Sequence, residues 1–144
     1  MNAELKVRDI MSSQVVCLSD QASLKDAHLL MQSRGVRHLP VISEEDGSFV
    51  GIVTHKKMVA SVISLLNKYG TGALERKERF VPISDIVETE IQQLNSDQAL
   101  CDVVDLFIGN KHGCLPVVNE NKKVEGIVTS SDFIKLCAKL LKDA

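Results

Sequence analysis

Three residues spaced as Gly126-x-x-Thr129-x-x-Asp132 have the chemistry to hold a small polar ligand. A glycine ending a strand leaves room for a ligand to approach the backbone. A threonine at the start of the following helix lies beside the first amides, which attract anions. An aspartate one turn in offers a carboxylate that can accept hydrogen bonds from both hydroxyls of a ribose. Thr129-x-x-Asp132 is also a helix-capping pattern, and taken alone these residues favour that plainer role. The same spacing recurs as Gly51-x-x-Thr54-x-x-Lys57, with a lysine in place of the acid. Lysine has three donors and no acceptor, so it cannot take a ribose hydroxyl, but it can meet a phosphate. Arg37 and His38, just before Leu39-Pro40, fit an ordinary half-exposed strand pair.

Other chemistries find no support. His28, His38, His55 and His112 show no i, i+4 pairing and no carboxylate cluster, so no metal site is expected. His28 reads as a helix residue packed at the edge of a core. Cys17, Cys101, Cys114 and Cys137 form no CxxC, and three of them lie in apolar stretches, where cysteine behaves as a small hydrophobe. Gly70-Thr71-Gly72 lacks the lysine of a phosphate loop and follows a helix, not a strand. No serine stands in a nucleophile elbow. No enzyme activity is expected, and no cofactor is required.

Net charge is −2 and aromatic residues are 3%, with no Trp, which gives neither a basic face nor a stacking platform for nucleic acid. The apolar runs are a few residues long, far from the ~20 that span a bilayer. Met1-Asn2-Ala3-Glu4-Leu5-Lys6 does not read as a signal peptide. A cytoplasmic protein without membrane contact is the expectation.

The elements that position these residues come as a duplication. Asp9-Ile10 recurs as Asp85-Ile86, Leu39-Pro40-Val41 as Leu115-Pro116-Val117, and Gly51-Ile52-Val53-Thr54 as Gly126-Ile127-Val128-Thr129. One residue drops out in a polar turn, where a duplicated unit tolerates it. Each copy reads as a strand (Val15 to Leu18; Ile91 to Leu94), then a helix with apolar residues at Leu24, Ala27, Leu30 and Met31 or at Leu100, Val103, Val104 and Phe107. Ser23 with Asp26 makes a capping box, and Asp97 is the expected cap in the second copy. Two hairpins follow, His38 to Ile42 with Phe49 to Val53 and Cys114 to Val118 with Val124 to Val128. A second helix closes each copy, through Met58 to Leu66 and Phe133 to Leu141. The fold class is α+β: tandem β-α-β-β-α repeats with pseudo-twofold symmetry, in one domain over 1–144. Repeat one spans about 7–67, a connector 68–82, and repeat two 83–142. Gly70 and Gly72 stop the helix before the connector, and Glu75-Arg76-Lys77-Glu78-Arg79 reads as a solvated charged run.

Val7-Arg8-Asp9-Ile10-Met11, Arg37-His38-Leu39-Pro40-Val41 and Gly51-Ile52-Val53-Thr54 resemble a CBS repeat. Ile83-Ser84-Asp85-Ile86, Leu115-Pro116-Val117 and Gly126-Ile127-Val128-Thr129-Ser130-Ser131-Asp132 resemble a second. Together they resemble a CBS pair, or Bateman module, over nearly the whole chain. The resemblance implies a regulatory module that binds AMP, ADP, ATP or S-adenosylmethionine in clefts between the repeats. It tips Thr129 and Asp132, with Gly126 and Ser131, from capping towards a ligand role. It implies that Val16 and Val36 line the adenine pocket of the cleft containing Asp132, with Ile91, Gln92 and His112 equivalent in the other. Arg37 and His38, with Thr54 and Lys57, would face phosphates there. The second copy has uncharged Gly113 and Cys114 before its Leu-Pro, which suits a ligand with few phosphates. A homodimer through Val59, Val62, Ile63 and Leu66 with Phe133, Cys137 and Leu140 is expected, acting in trans on an effector protein. The alternative is an interaction module whose clefts have decayed, as Lys57 and Gly113-Cys114 suggest.

Overall fold

The computed structural model describes residues 4–109 and 113–143. Two compact units divide the chain, one from Val16–Ile91 and the other from the segment up to Val15 together with residues from Gln92 onward.

In the first unit, β1 (Leu18–Ser19) runs parallel to β2 (His38–Ile42), which pairs antiparallel with β3 (Phe49–Thr54). Helix α2 (Leu24–Arg34) starts at Ser23, whose hydroxyl accepts from the Asp26 N–H at 3.2 Å while its own N–H donates to the Asp26 carboxylate at 2.9 Å. This is the expected capping box, and it satisfies two backbone donors that a helix start otherwise leaves open. Helix α3 (His55–Tyr69) follows β3 directly and ends at Gly70, whose N–H donates to the Leu66 carbonyl. Leu24, Ala27, Leu39, Val41 and Val53 are fully buried, and Met31 and Met58 nearly so. Burying each large side chain contributes about 1.5–3 kcal/mol. Ile83 and Ile86, from the head of the second repeat, complete this core.

The other unit holds α1 (Val7–Ile10), α5 (Leu100–Gly109), the antiparallel pair β4 (Cys114–Val118) and β5 (Val124–Thr129), and α6 (Ser130–Asp143). Its buried residues include Val7, Leu94, Leu100, Val103, Leu115, Val117 and Val128. Phe107 and Phe133 meet with ring centroids 4.9 Å apart.

Several expectations are corrected. Val15 to Cys17 lie outside the strand, which is only Leu18–Ser19, and in the second copy Leu94 alone bridges to Val117. Runs this short follow the parallel neighbour they meet, not their own propensity. Helix α5 starts at Leu100, so Asp97 sits too far upstream to cap it and instead pairs with the Arg8 guanidinium. Cys137 and Cys101 are exposed, and Cys114 alone is a core cysteine. The charged run after Gly70 is not simply solvated. It forms a 3-10 turn (Thr71–Ala73) and a short helix, α4 (Leu74–Glu78), that packs on α2 and α3. Glu75 pairs with Arg79, and Lys77 stacks over the Tyr69 ring, 4.3 Å from its centroid. Glu78 turns inward and is 1% exposed.

Candidate ligand-binding site

In the first unit, the hairpin brings Arg37, His38 and Thr54 to one end. Thr54 closes β3 in register with His38, and the His55 N–H donates to the Arg37 carbonyl at 2.7 Å. Thr54 is the cap of α3, its hydroxyl accepting from the Lys57 N–H at 3.1 Å. A cavity of about 440 Å³ opens beside this end, lined by Arg37, Val36, His28, Gln32, His55 and the apolar side chains Met31, Met58, Val59 and Val62. His38 and Lys57 are not in its wall, so Arg37, His38 and Lys57 do not converge as expected. Each helical residue turns by about 100°, which puts Lys57 about 200° around α3 from His55. Met58, Val59 and Val62, at i+3, i+4 and i+7 from His55, share its face instead. Arg37 is grouped with His28, expected only as a residue packed at the core edge, and with His55, to which no role was given.

The second unit repeats the plan with other side chains. The Ser130 N–H donates to the Gly113 carbonyl at 3.0 Å, as His55 does to Arg37. Gly113 has φ 66°, a left-handed value that suits glycine, and it offers no charge where Arg37 does. Thr129 is the residue before α6, not its first turn. The Asp132 carboxylate accepts from the Thr129 N–H at 2.8 Å and hydroxyl at 3.2 Å, both at Oδ2. Capping is thus realised, yet among the described residues Oδ1 has no partner. Asp132 also lines a cavity of about 600 Å³ with Glu4, Leu5, Asp9 and Ile10 from the chain start and α1, and Lys135, Leu136 and Lys139 from α6. Lys135, Leu136 and Lys139 follow Asp132 at i+3, i+4 and i+7, a helical spacing visible in the sequence but not used there. Lys135 and Lys139 supply cations that Gly113 and Cys114 cannot. Cys114 lies under this end of the hairpin, where burial and then the Asp132 carboxylate push its thiol up to about 12.

Gly126 departs from the expectation of an open ligand approach. A Cβ there would lie 2.6 Å from the Ser12 carbonyl oxygen and 3.0 Å from the Met11 sulfur. Ser12 and Ile127 exchange backbone hydrogen bonds of 2.9 and 3.0 Å at this point. Gly51 does the same work against Glu88, whose carbonyl oxygen would be 2.2 Å from an added Cβ. Both glycines make room for the chain itself. Ser131 is exposed and outside the cavity wall. Val16 and Val36 belong to the first unit, Val36 in the wall beside Arg37. His112 falls outside the described residues. Ile91 and Gln92 lie in no regular element.

The family model for the CBS domain matches residues 7–64 and 83–139. An uncharacterized protein of Methanocaldococcus jannaschii is 30% identical over 92% of this chain, which spans 47% of that protein. A homoserine O-acetyltransferase of Methanosalsum zhilinae is 26% identical over 92% of the chain, which spans 24% of it. The chain therefore covers less than half the length of these relatives. Among solved structures, CBSX2 from Arabidopsis thaliana in complex with AMP superposes with a TM-score of 0.76 at 24% identity, over 94% of this chain and 97% of that one. The CBS domain pair of protein MJ0100, in complex with 5′-methylthioadenosine and S-adenosyl-L-methionine, gives 0.75 at 23%, over 95% and 98%. With both repeats matched by the family model and the α+β elements superposing on CBS pairs, this chain belongs to the CBS domain family.

Proposed function

We propose that this chain is a regulatory module that binds an adenosine-containing small molecule, with the ribose held by Asp132. The observation that carries the reading is the position of Asp132. It lies on the first turn of α6, in the wall of a 600 Å³ cavity, with one carboxylate oxygen uncommitted among the described residues. Lys135 and Lys139, on the same helix face, would meet an anionic end of the ligand, so AMP, ADP, ATP and S-adenosylmethionine all remain candidates there. The ligands named for CBSX2 and for MJ0100 accord with this choice. Neither unit carries a catalytic constellation among the described residues, and CBS pairs generally regulate. Free cysteines suit a reducing compartment such as the cytoplasm.

Homodimerisation is supported by the exposed Ile63 of α3 and the exposed Ile134, Leu140 and Leu141 of α6, which are apolar faces left open to water. Light scattering that gives a dimer mass, lost in Ile63→Glu, would agree with this; a monomer at micromolar concentration would not. A second reading, an interaction module with decayed sites, is favoured by Lys57 at the acidic position of the first repeat. Calorimetric titration of the protein with adenosine, AMP, ATP and S-adenosylmethionine separates the two. Saturable heat with any of them supports the ligand module, and none with all four supports the interaction module.

A further inference from the structure

The cavity that holds Asp132 has two walls of unlike attachment. One is the long helix α6, and the other is the N-terminal segment, through Glu4, Leu5, Asp9 and Ile10. In sequence this segment heads the first repeat, yet it packs in the unit built by the second. Backbone hydrogen bonds tie it there. The Leu100 N–H donates to the Leu5 carbonyl at 2.8 Å, and the Val7 and Arg8 N–H groups donate to the carbonyls of Gln98 and Ser96 at 3.0 Å. Ser12 and Ile127 exchange the pair of bonds described above. Side chains add little. Val7 is the only buried residue from Glu4 to Val15, and the Arg8–Asp97 ion pair is exposed, where such pairs contribute little.

A terminal segment with one apolar anchor opens at lower cost than the core it rests on. Opening takes away half of the cavity wall, so a ligand meets fewer contacts in the open form. A ligand shifts two states by its differential affinity for them, and the linkage is reciprocal. We propose, resting on Asp132 as the ribose anchor, that residues 4–12 form a strap over this cavity. A ligand bound there fastens the strap, and loosening the strap weakens the ligand. Gly126 offers a handle on the strap alone. The three atoms nearest to a Cβ added at Gly126 all belong to Met11 and Ser12, the closest being the Ser12 carbonyl oxygen at 2.6 Å. Gly126→Ala therefore pushes the strap off its seat.

Hydrogen exchange read by NMR on the full chain tests this, with adenosine as the probe and calorimetry to measure its Kd. The amides of Val7, Arg8, Ser12 and Leu100 report the strap, and those of Leu94 and Val118, bonded between Leu94 and β4, report the body of the same unit. Without ligand the strap amides should exchange about tenfold faster than the body amides, or more. Adenosine at about ten times its Kd should slow them about tenfold. In Asp132→Ala the same concentration should slow them far less. Gly126→Ala should speed strap exchange about tenfold or more. Its adenosine affinity should fall about twofold or more, following the fraction of molecules with the strap docked. Val7→Ala, which removes the anchor's two γ-methyl groups and adds no bulk, should act in the same direction and serves if Gly126→Ala does not fold. Saturable adenosine heat with unchanged strap exchange overturns the strap and leaves the ribose reading standing; no heat at all overturns both. The strap is also overturned if its amides exchange at the rate of Leu94 and Val118, or if Asp132→Ala responds like the parent protein. Parental adenosine affinity in a variant whose strap amides have lost their protection overturns it as well.

Discussion

Replacing Gly51 by alanine places a methyl group against the chain itself. The added Cβ would stand 2.2 Å from the Glu88 carbonyl oxygen, 2.9 Å from its carbonyl carbon and 2.9 Å from Cγ2 of Val87. Two of those atoms are backbone, so no side-chain rotation relieves the contact, and Glu88 must retreat by roughly 1 Å. Ile52 and Glu88 exchange two backbone hydrogen bonds of 2.9 Å at this point. Losing both costs about 2 kcal/mol and the overpacking a further 1–3, so Gly51→Ala should destabilise by about 3–5 kcal/mol. Gly126→Ala meets Ser12 at the milder distance of 2.6 Å, with the flexible Met11 side chain next, and should cost less, about 2–3 kcal/mol. Gly72 has nothing within 4 Å of an added Cβ, and Gly72→Ala should be neutral or slightly stabilising. Urea unfolding by circular dichroism measures all three. A Gly51→Ala midpoint equal to that of the parent, or a greater loss at Gly126 than at Gly51, would refute the close-approach argument.

Cys101 and Cys137 should react readily with a thiol reagent at mild alkaline pH, while Cys114, whose thiol is pushed up to about 12, should react only after unfolding. The unfolded thiol ionises near 9.0 and the folded one about three units higher, so Cys114 favours the folded state below pH 9, and this contribution is lost as pH rises towards 12. The slope is about 1.4 kcal/mol per pH unit, and urea unfolding of Cys114→Ala should show a shallower alkaline fall than the parent. Lys122 holds φ 65° in the β4–β5 turn, where the first hairpin places Gly47 at 75°. Lys122→Gly should therefore raise stability by about 0.5–1 kcal/mol in thermal unfolding, and a loss would contradict the reading of strain there.

Much of this architecture was legible because it repeats. The apolar spacing of Leu24, Ala27 and Met31 and the hairpin runs of both copies lie where their periodicity puts them, and Ser23 with Asp26 caps α2 as its spacing implies. What escaped was non-local. Nothing near Glu78 in the sequence reveals His28, whose Nδ1 lies 2.8 Å from Oε2 of Glu78, and a charged run gives no sign of which member turns inward. Gly126 reads in sequence as an opening for a ligand because the segment that fills it, around Ser12, comes from the other repeat, as does the segment around Glu88 that meets Gly51. The resemblance groups Arg37 with Lys57 at a phosphate, but the turn of α3 keeps Lys57 out of the cavity that Arg37 lines. Lys135 and Lys139 could have been found, since i+3 and i+7 from Asp132 is a face that any helix reading supplies.

The affinity of Asp132→Ala for adenosine tests the central claim most directly, because adenosine carries the ribose without a phosphate that Lys135 or Arg37 could hold. A hydrogen bond to a charged acceptor is worth about 1.5–3 kcal/mol, so calorimetry should find adenosine binding weakened at least tenfold. Asp132→Asn, which keeps an oxygen to accept from Thr129, controls for the cap and should retain the parent's urea midpoint. Unchanged adenosine affinity in a folded Asp132→Ala protein would contradict the assignment and leave Asp132 a helix cap alone.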